Sequence, residues 1–234
     1  MNNDFKNKMI ELARMINDEL TEDQVENFFK YMNLLLEWNE KINLTAITDV
    51  DDIILKHFID SMTVLKYIEK DKSIIDVGTG AGFPGIPIAI MRENVKITLL
   101  DSLNKRINFL SDVIRELKLT DIETIHARIE DYAHNNKDKF DIVTARAVAP
   151  LNILLEYAIP ITKVNSYFVA MKGKTEDATT YNNALKVLNS EIKEIKEFKL
   201  PIENSDRTIY KIIKISKSNG KYPRKPSEIK KNVL

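Results

Sequence analysis

DVGTGAGFPG, residues 76 to 85, holds four of the six glycines in this 234-residue chain and follows the apolar pair Ile74 and Ile75 directly. An apolar strand that ends in closely spaced glycines, with a helix behind them, lets an α/β sheet bring bare backbone close to a nucleotide-like ligand. The spacing narrows the ligand. A dinucleotide fingerprint, G-x-G-x-x-G, would place its third glycine at position 83, where Phe83 stands, and the glycines run G-x-G-x-G from Gly78 to Gly82. No Lys-Ser or Lys-Thr follows the second glycine of a P-loop pair, so a Walker-type phosphate cradle is excluded as well.

The remaining pattern resembles motif I of class I methyltransferases, in which the loop curls under S-adenosylmethionine and an acidic residue, here Asp76, precedes the first glycine. Pro84 and Pro87 suit the first turn of the following helix, whose N–H groups have no intrahelical partner to lose.

Composition bounds the rest. A chain of this length with 44% hydrophobic residues can bury one full core. Cysteine is absent, which excludes disulfides, thiolate metal sites and cysteine nucleophiles. His57, His126 and His134 are too scattered for a metal centre, so no metal is expected. No apolar run approaches a membrane span and the N-terminus has no signal-peptide core, so a cytoplasmic protein is expected. The net charge is zero but unevenly spread: residues 1 to 60 carry six Lys/Arg against thirteen Asp/Glu, and residues 211 to 234 carry eight against the single Glu228.

Outward from the loop, residues 4–20 show helical spacing, and Thr21 and Asp23 can cap a second helix with Val25, Phe28, Phe29, Met32, Leu35 and Leu36 on one face. A third helix contains KHFIDS, residues 56–61, where His57 reads as a polar contact to Asp60 or a carbonyl. From Ser73 apolar runs alternate with amphipathic segments, the signature of βαβ units. Strands are expected at 73–77, 95–101, 122–127, 140–148 and 165–173, a helix starting behind a Ser102 cap, another near 176–189, and a terminal β-pair. The expected fold is a Rossmann-like, seven-stranded α/β sheet with a helical cap at 1–70, a core at 71–216 and a basic tail at 217–234.

Ligands of open α/β sheets lie beyond the carboxyl ends of the strands. This collects Asp76, Gly78, Gly80 and Phe83 after the first strand, and Asp101 after the second, 23 residues past Gly78 and placed to accept ribose hydroxyls. Ala127, Arg128, Ile129 and Glu130 follow the third strand as an adenine wall, and Arg146 ends the fourth, able to meet a carboxylate or phosphate in bidentate fashion. Amine methylation commonly uses an Asn/Asp-Pro-Pro-aromatic motif after the fourth strand, where this chain has TARAVAP. Pyrimidine C5 methylation needs a cysteine. A ring nitrogen such as guanine N7 carries a lone pair and no proton, and needs positioning rather than a base. No side chain is therefore assigned to catalysis, while Lys172 and Lys174 leave ribose 2′-O methylation open.

LLLEWNEKINLTAIT, KHFIDS, DVGTGAGFPGIPIAI, LLDSLNKRINFL, ARIEDY, FDIVTARAVAPL, AMKGK and YPRKPSEIKKNVL together resemble the bacterial small-subunit ribosomal RNA methyltransferase G family, also called GidB. The resemblance implies a class I S-adenosylmethionine-dependent enzyme that methylates guanine N7 in the decoding-region loop of 16S rRNA, with 16S rRNA or the small subunit as partner and a monomer as the expected state. It implies cofactor contacts at Gly78, Phe83, Ile129 with Glu130, and Arg146, with Asp101 as ribose ligand, and Gly80 joins them from its place in the loop. In the tail, Ser227, Ile229 and Val233 replace a glycine and two prolines of the family pattern. Tyr222, Arg224, Lys225, Lys230 and Lys231 remain to meet RNA phosphates and stack on a base. Two other readings stay open on the residues alone: a methyltransferase for a small molecule or protein, and a non-catalytic RNA-binding assembly factor.

Overall fold

A computed structural model describes residues 3–234. The chain forms α1 (Asn3–Met15) and α2 (Glu22–Ile42), then α3 (Val50–Ile53), which runs through a widened π turn (Ile54–Ile59) into α4 (Asp60–Met62). The alternating part follows: β1 (Ser73–Val77), α5 (Gly85–Met91), β2 (Lys96–Asp101), α6 (Asn104–Glu116), β3 (Ile122–His126), α7 (Ile129–Asn135), β4 (Phe140–Arg146), α8 (Leu151–Ile161) and β5 (Thr162–Lys172). α9 (Asn182–Val187), the hairpin β6 (Ser190–Lys199) and β7 (Asp206–Lys214), and α10 (Pro226–Lys231) complete it.

The seven strands make one mixed sheet in the order β3-β2-β1-β4-β5-β7-β6. β1 to β5 are parallel, and β7 is antiparallel to both β5 and β6. The order reverses at β1, between β2 and β4, which is where a parallel sheet opens a crevice for a ligand. One apolar cluster packs α1, α2 and the 50–62 helical segment with α5 and α6 on one face, and a second packs α8 and α9 on the other. The N-terminal stretch expected as a cap thus shares its core with the sheet. Among the described residues no helix is long and apolar enough to cross a membrane.

Several expected boundaries move for local reasons. α1 stops at Met15 because Asn17 turns left-handed, with φ 63°, and Asp18 N–H bonds back to the Ala13 carbonyl. The Thr21 cap is a full capping box with Gln24. The fourth strand ends at Arg146 rather than 148 because Ala147 has φ 56°. The helix expected over 176–189 is only Asn182–Val187, preceded by a 3-10 turn capped by Asp177. Ser102 caps nothing: Leu103 stands at the N-cap of α6, and the Asp101 carboxylate accepts its N–H at 2.9 Å.

Candidate functional site

At the carboxyl end of β1, Asp76 is fully buried and accepts through Oδ2 from the Thr79 hydroxyl (2.6 Å) and the Gly85 N–H (2.9 Å). Burial pushes its carboxyl up to about 6, against the lowering effect of those hydrogen bonds. The loop it ties down carries Gly78, Gly80 and Gly82 at φ of 65°, 62° and 97°. These glycines face different surroundings. A Cβ on Gly82 would lie 2.6 Å from Ile86, and one on Gly78 would lie 2.8 Å from Val148, whereas the nearest atom to one on Gly80 is 4.0 Å away. Gly80 therefore presents bare backbone to open space.

Asp101, 3% exposed, completes this wall. Its Oδ2 accepts from the Gly80 N–H (3.0 Å) and Arg106 Nη1 (3.2 Å), so it orders the loop as well as the start of α6. With Gly78 and Asp101, the half-buried Ile129 and Glu130 line a hollow of about 280 Å³. The sequence-predicted Gly78, Asp101, Ile129 and Glu130 are thus brought together, with Gly80 bonded to Asp101 beside them.

Ala147 also borders a second cleft of about 360 Å³, formed by the ends of β4 and β5, the start of β7 and the helical segment 50–62. Arg146 is its hub. Its Nη1 donates to Asp60 Oδ2 (2.9 Å) and to the Lys56 carbonyl (3.0 Å), which stands within the widened turn. Its Nη2 lies 3.3 Å from His57 Nδ1, and its guanidinium carbon stands 5.0 Å from the Phe83 ring centroid. Asp60 Oδ1 accepts from Arg207 Nε at 2.9 Å, so one nearly buried carboxylate holds two guanidinium groups.

His57 stacks on Phe83 at 4.5 Å, and its Nε2 lies 2.9 Å from Thr45 Oγ1. Burial, with Arg146 adding to it, lowers its pKa to about 4. The ring is therefore neutral near pH 7. With Nδ1 facing a guanidinium that only donates, the proton sits on Nε2 and points to Thr45. Phe83 itself is 6% exposed beneath this cluster, so its ring supports the cleft floor. Lys172 lines the cleft with Nζ 3.1 Å from the Ala149 carbonyl, which it holds by donation.

The sequence reading missed Arg207, Asp60 and Thr45 as members of this site, and offered Asp60 or a carbonyl as the partner of His57, whose side-chain contacts are Thr45 and Arg146. Lys56 and His57, four and three residues before Asp60 on one helical segment, were the available signal; Arg207, 147 residues from Asp60, carried none.

The tail needs correction. Tyr222 is 5% exposed and belongs to the second apolar cluster. Arg224 donates its backbone N–H and Nε to Glu156 Oε1 and Nη2 to Oε2, at 2.7 to 2.9 Å, and the Glu156 side chain is 1% exposed. Neither is free to stack on a base or take a phosphate. Lys225, Lys230 and Lys231 are exposed. The tail starts at the edge opposite the clefts, where Lys137 donates to the Gly220 carbonyl and Asn189 to that of Lys217.

Residues 24–208 match the family described as GidB, rRNA small subunit methyltransferase G. The chain is 46% identical over 239 residues to a ribosomal RNA small subunit methyltransferase G of Clostridium botulinum, covering 99% of each. It is 50% identical over 214 residues to a protein of the same name from Desulfitobacterium hafniense, covering 90% of this chain and 89% of that one. A solved SAM dependent methyltransferase from Aquifex aeolicus is alike in fold, with a TM-score of 0.54 and 17% identity over 73% of this chain and 97% of that one.

Proposed function

Because the chain belongs to the rRNA small subunit methyltransferase G family, we propose that it transfers a methyl group from S-adenosylmethionine to N7 of a guanine in the decoding-region loop of 16S ribosomal RNA. The observation that carries the reading is the junction at Ala147, where the hollow at the glycine loop and the cleft under Arg146 share a wall. A donor and an acceptor held on either side of that wall are neighbours.

The residues fit the cofactor: the open side of Gly80 admits a group that any Cβ would displace, and among the described residues Asp101 Oδ1 accepts from the Leu103 N–H alone, leaving a lone pair for a ribose hydroxyl. Gly78, Gly80, Asp101, Ile129 and Glu130 are assigned to its adenosine portion and Arg146 to its carboxylate end, with Phe83 supporting from below. Bound there, the cofactor supplies an electrophilic methyl group. The protein's own part is positioning. Guanine N7 has no proton to lose, and the cleft offers no base, since His57 is neutral with Nδ1 turned to Arg146 and Asp60 is held by two arginines. Lys172 and Arg207 give the cleft a cationic lining suited to an anionic strand. A monomer that uses no metal remains part of this reading.

The test is transfer of labelled methyl from S-adenosylmethionine to small-subunit rRNA from a strain lacking the gene, with the nucleoside identified by mass spectrometry. N7-methylguanosine at one position is expected. Cofactor binding without label in the RNA would overturn the substrate, and no cofactor binding would overturn the activity.

A further inference from the structure

The cleft under Arg146 does not end at Arg207. Past Phe198, Arg207 and Thr208, which line both, a second hollow of about 480 Å³ opens between the end of β5 and the β6–β7 hairpin. The pairing of Lys172 with Thr208 and of Lys199 with Asp206 sets this hollow on the same sheet edge as the cleft. Across the two spaces stand Lys56, Arg146, Lys172, Lys174, Lys199 and Arg207 against three carboxylates, Asp60, Glu197 and Asp206. The lining itself carries this excess, while Lys56 also pairs with Asp52 and Glu203, and Lys172 with Glu176, just outside it.

The cations differ in how far they are committed. Arg207 is tied to Asp60 and Lys199 to Asp206, at 2.9 and 2.7 Å. Lys174 is exposed and forms no salt bridge among the described residues, although its charge is felt by Asp206 beside it. Phe198, half-buried on the core, is the aromatic side chain on the wall between the spaces. A continuous path with an aromatic wall and an exposed ammonium beyond it suits a polymer with one phosphate per base; a small acceptor would need only the first cleft.

We propose that this second hollow is a subsite for the nucleotide flanking the target guanosine, with Phe198 against its base and Lys174 on its phosphate. The proposal rests on the reading that the substrate is RNA, and places an RNA contact at the β5 end and the hairpin.

Steady-state methyl transfer to a 16S rRNA fragment containing the target loop, measured over a salt series, tests it with Lys174→Glu and Phe198→Leu. For Lys174→Glu the expected result is a rise of about tenfold in KM for RNA, kcat within about twofold, and a salt slope shallower by about 0.7, the value for one phosphate contact on a single strand. For Phe198→Leu a rise of about fivefold or more in KM is expected, at the low end of what loss of one base–aromatic contact costs. In both, affinity for S-adenosylmethionine by calorimetry stays at the parent value, which also shows the proteins folded. Parental KM and salt slope in both variants would overturn the subsite while leaving the activity standing, as would the same losses arising from Lys230→Glu instead. Absence of transfer by the parent protein would overturn the RNA reading itself.

Discussion

Asp76 and His57 should cancel each other in the pH dependence of stability, and single substitutions should expose each. Asp76 moves from 3.8 to about 6 on folding. Between those values the folded chain binds more protons at this group than the unfolded chain, so its contribution is lost as pH rises through the window. At about 1.4 kcal/mol per pH unit that is about 3 kcal/mol. His57 moves the other way, from 6.5 to about 4. There the unfolded chain binds more protons, and stability is lost as pH falls from 6.5 to 4, again by about 3 kcal/mol. Asp76→Asn keeps an acceptor for Thr79 and Gly85 and removes one titration. His57→Asn keeps an acceptor for Arg146 and removes the other. Urea unfolding at half-unit steps from pH 4 to 7 gives each variant's difference from the parent, so that all other groups drop out. Relative to the parent, Asp76→Asn should gain about 3 kcal/mol on going from pH 4 to 6.5, and His57→Asn should lose about as much. Differences that stay constant with pH in either variant would refute the burial argument for that residue.

Further outcomes follow from the loop and the tail. Gly80→Val should lower S-adenosylmethionine affinity at least a hundredfold in a calorimetric titration while the protein stays folded. Its side chain enters open space, at a backbone cost of about 1–2 kcal/mol for the left-handed φ. Unchanged affinity would sink the placement of the cofactor at Gly80. Gly82→Ala should instead unfold at markedly lower temperature, because its Cβ would stand within 2.9 Å of Ile86, Leu110 and the Tyr31 hydroxyl; a melting temperature within 2 degrees of the parent, by the order-of-magnitude scaling for about 200 residues, would contradict the packing. Arg224→Ala should cost about 3 kcal/mol in urea unfolding, since it strands a buried Glu156 carboxylate. A loss of RNA affinity without loss of stability would return Arg224 to the RNA-binding set.

The parts legible in the sequence were those in which a residue's type dictates its own backbone or face. Three glycines at positive φ, continuous apolar runs in the parallel strands, and Thr21 before Gln24 each carry their structure locally. Asp101 was legible as a site residue for the same reason, by its place at a strand end, yet Ser102 was misassigned as the cap of α6: Leu103 stands there without a side-chain cap, and Asp101 holds its N–H. The tail failed differently. Charge was read as exposure, whereas Arg224 answers a buried partner 68 residues earlier. That partner had a signal: Glu156 is the lone charge in the apolar helix LNILLEYAIPI, and a carboxylate there needs a cation from elsewhere in the chain.

The two sides of the Ala147 junction are also built by different parts of the chain, and this bears on specificity. The hollow at Gly78 and Asp101 is made by loops that the parallel strands themselves produce. The cleft under Arg146 is made by what packs against the sheet: the 50–62 segment supplies Lys56, His57 and Asp60, and the hairpin supplies Arg207 and Phe198. Tyr31 of α2 joins the two parts, its hydroxyl donating to the Ala81 carbonyl in the glycine loop while its ring lies against Phe58 and Phe83. An acceptor-side change in the N-terminal helices can therefore reach the loop through Tyr31, which makes the helical layer part of the site's construction as well as of its core.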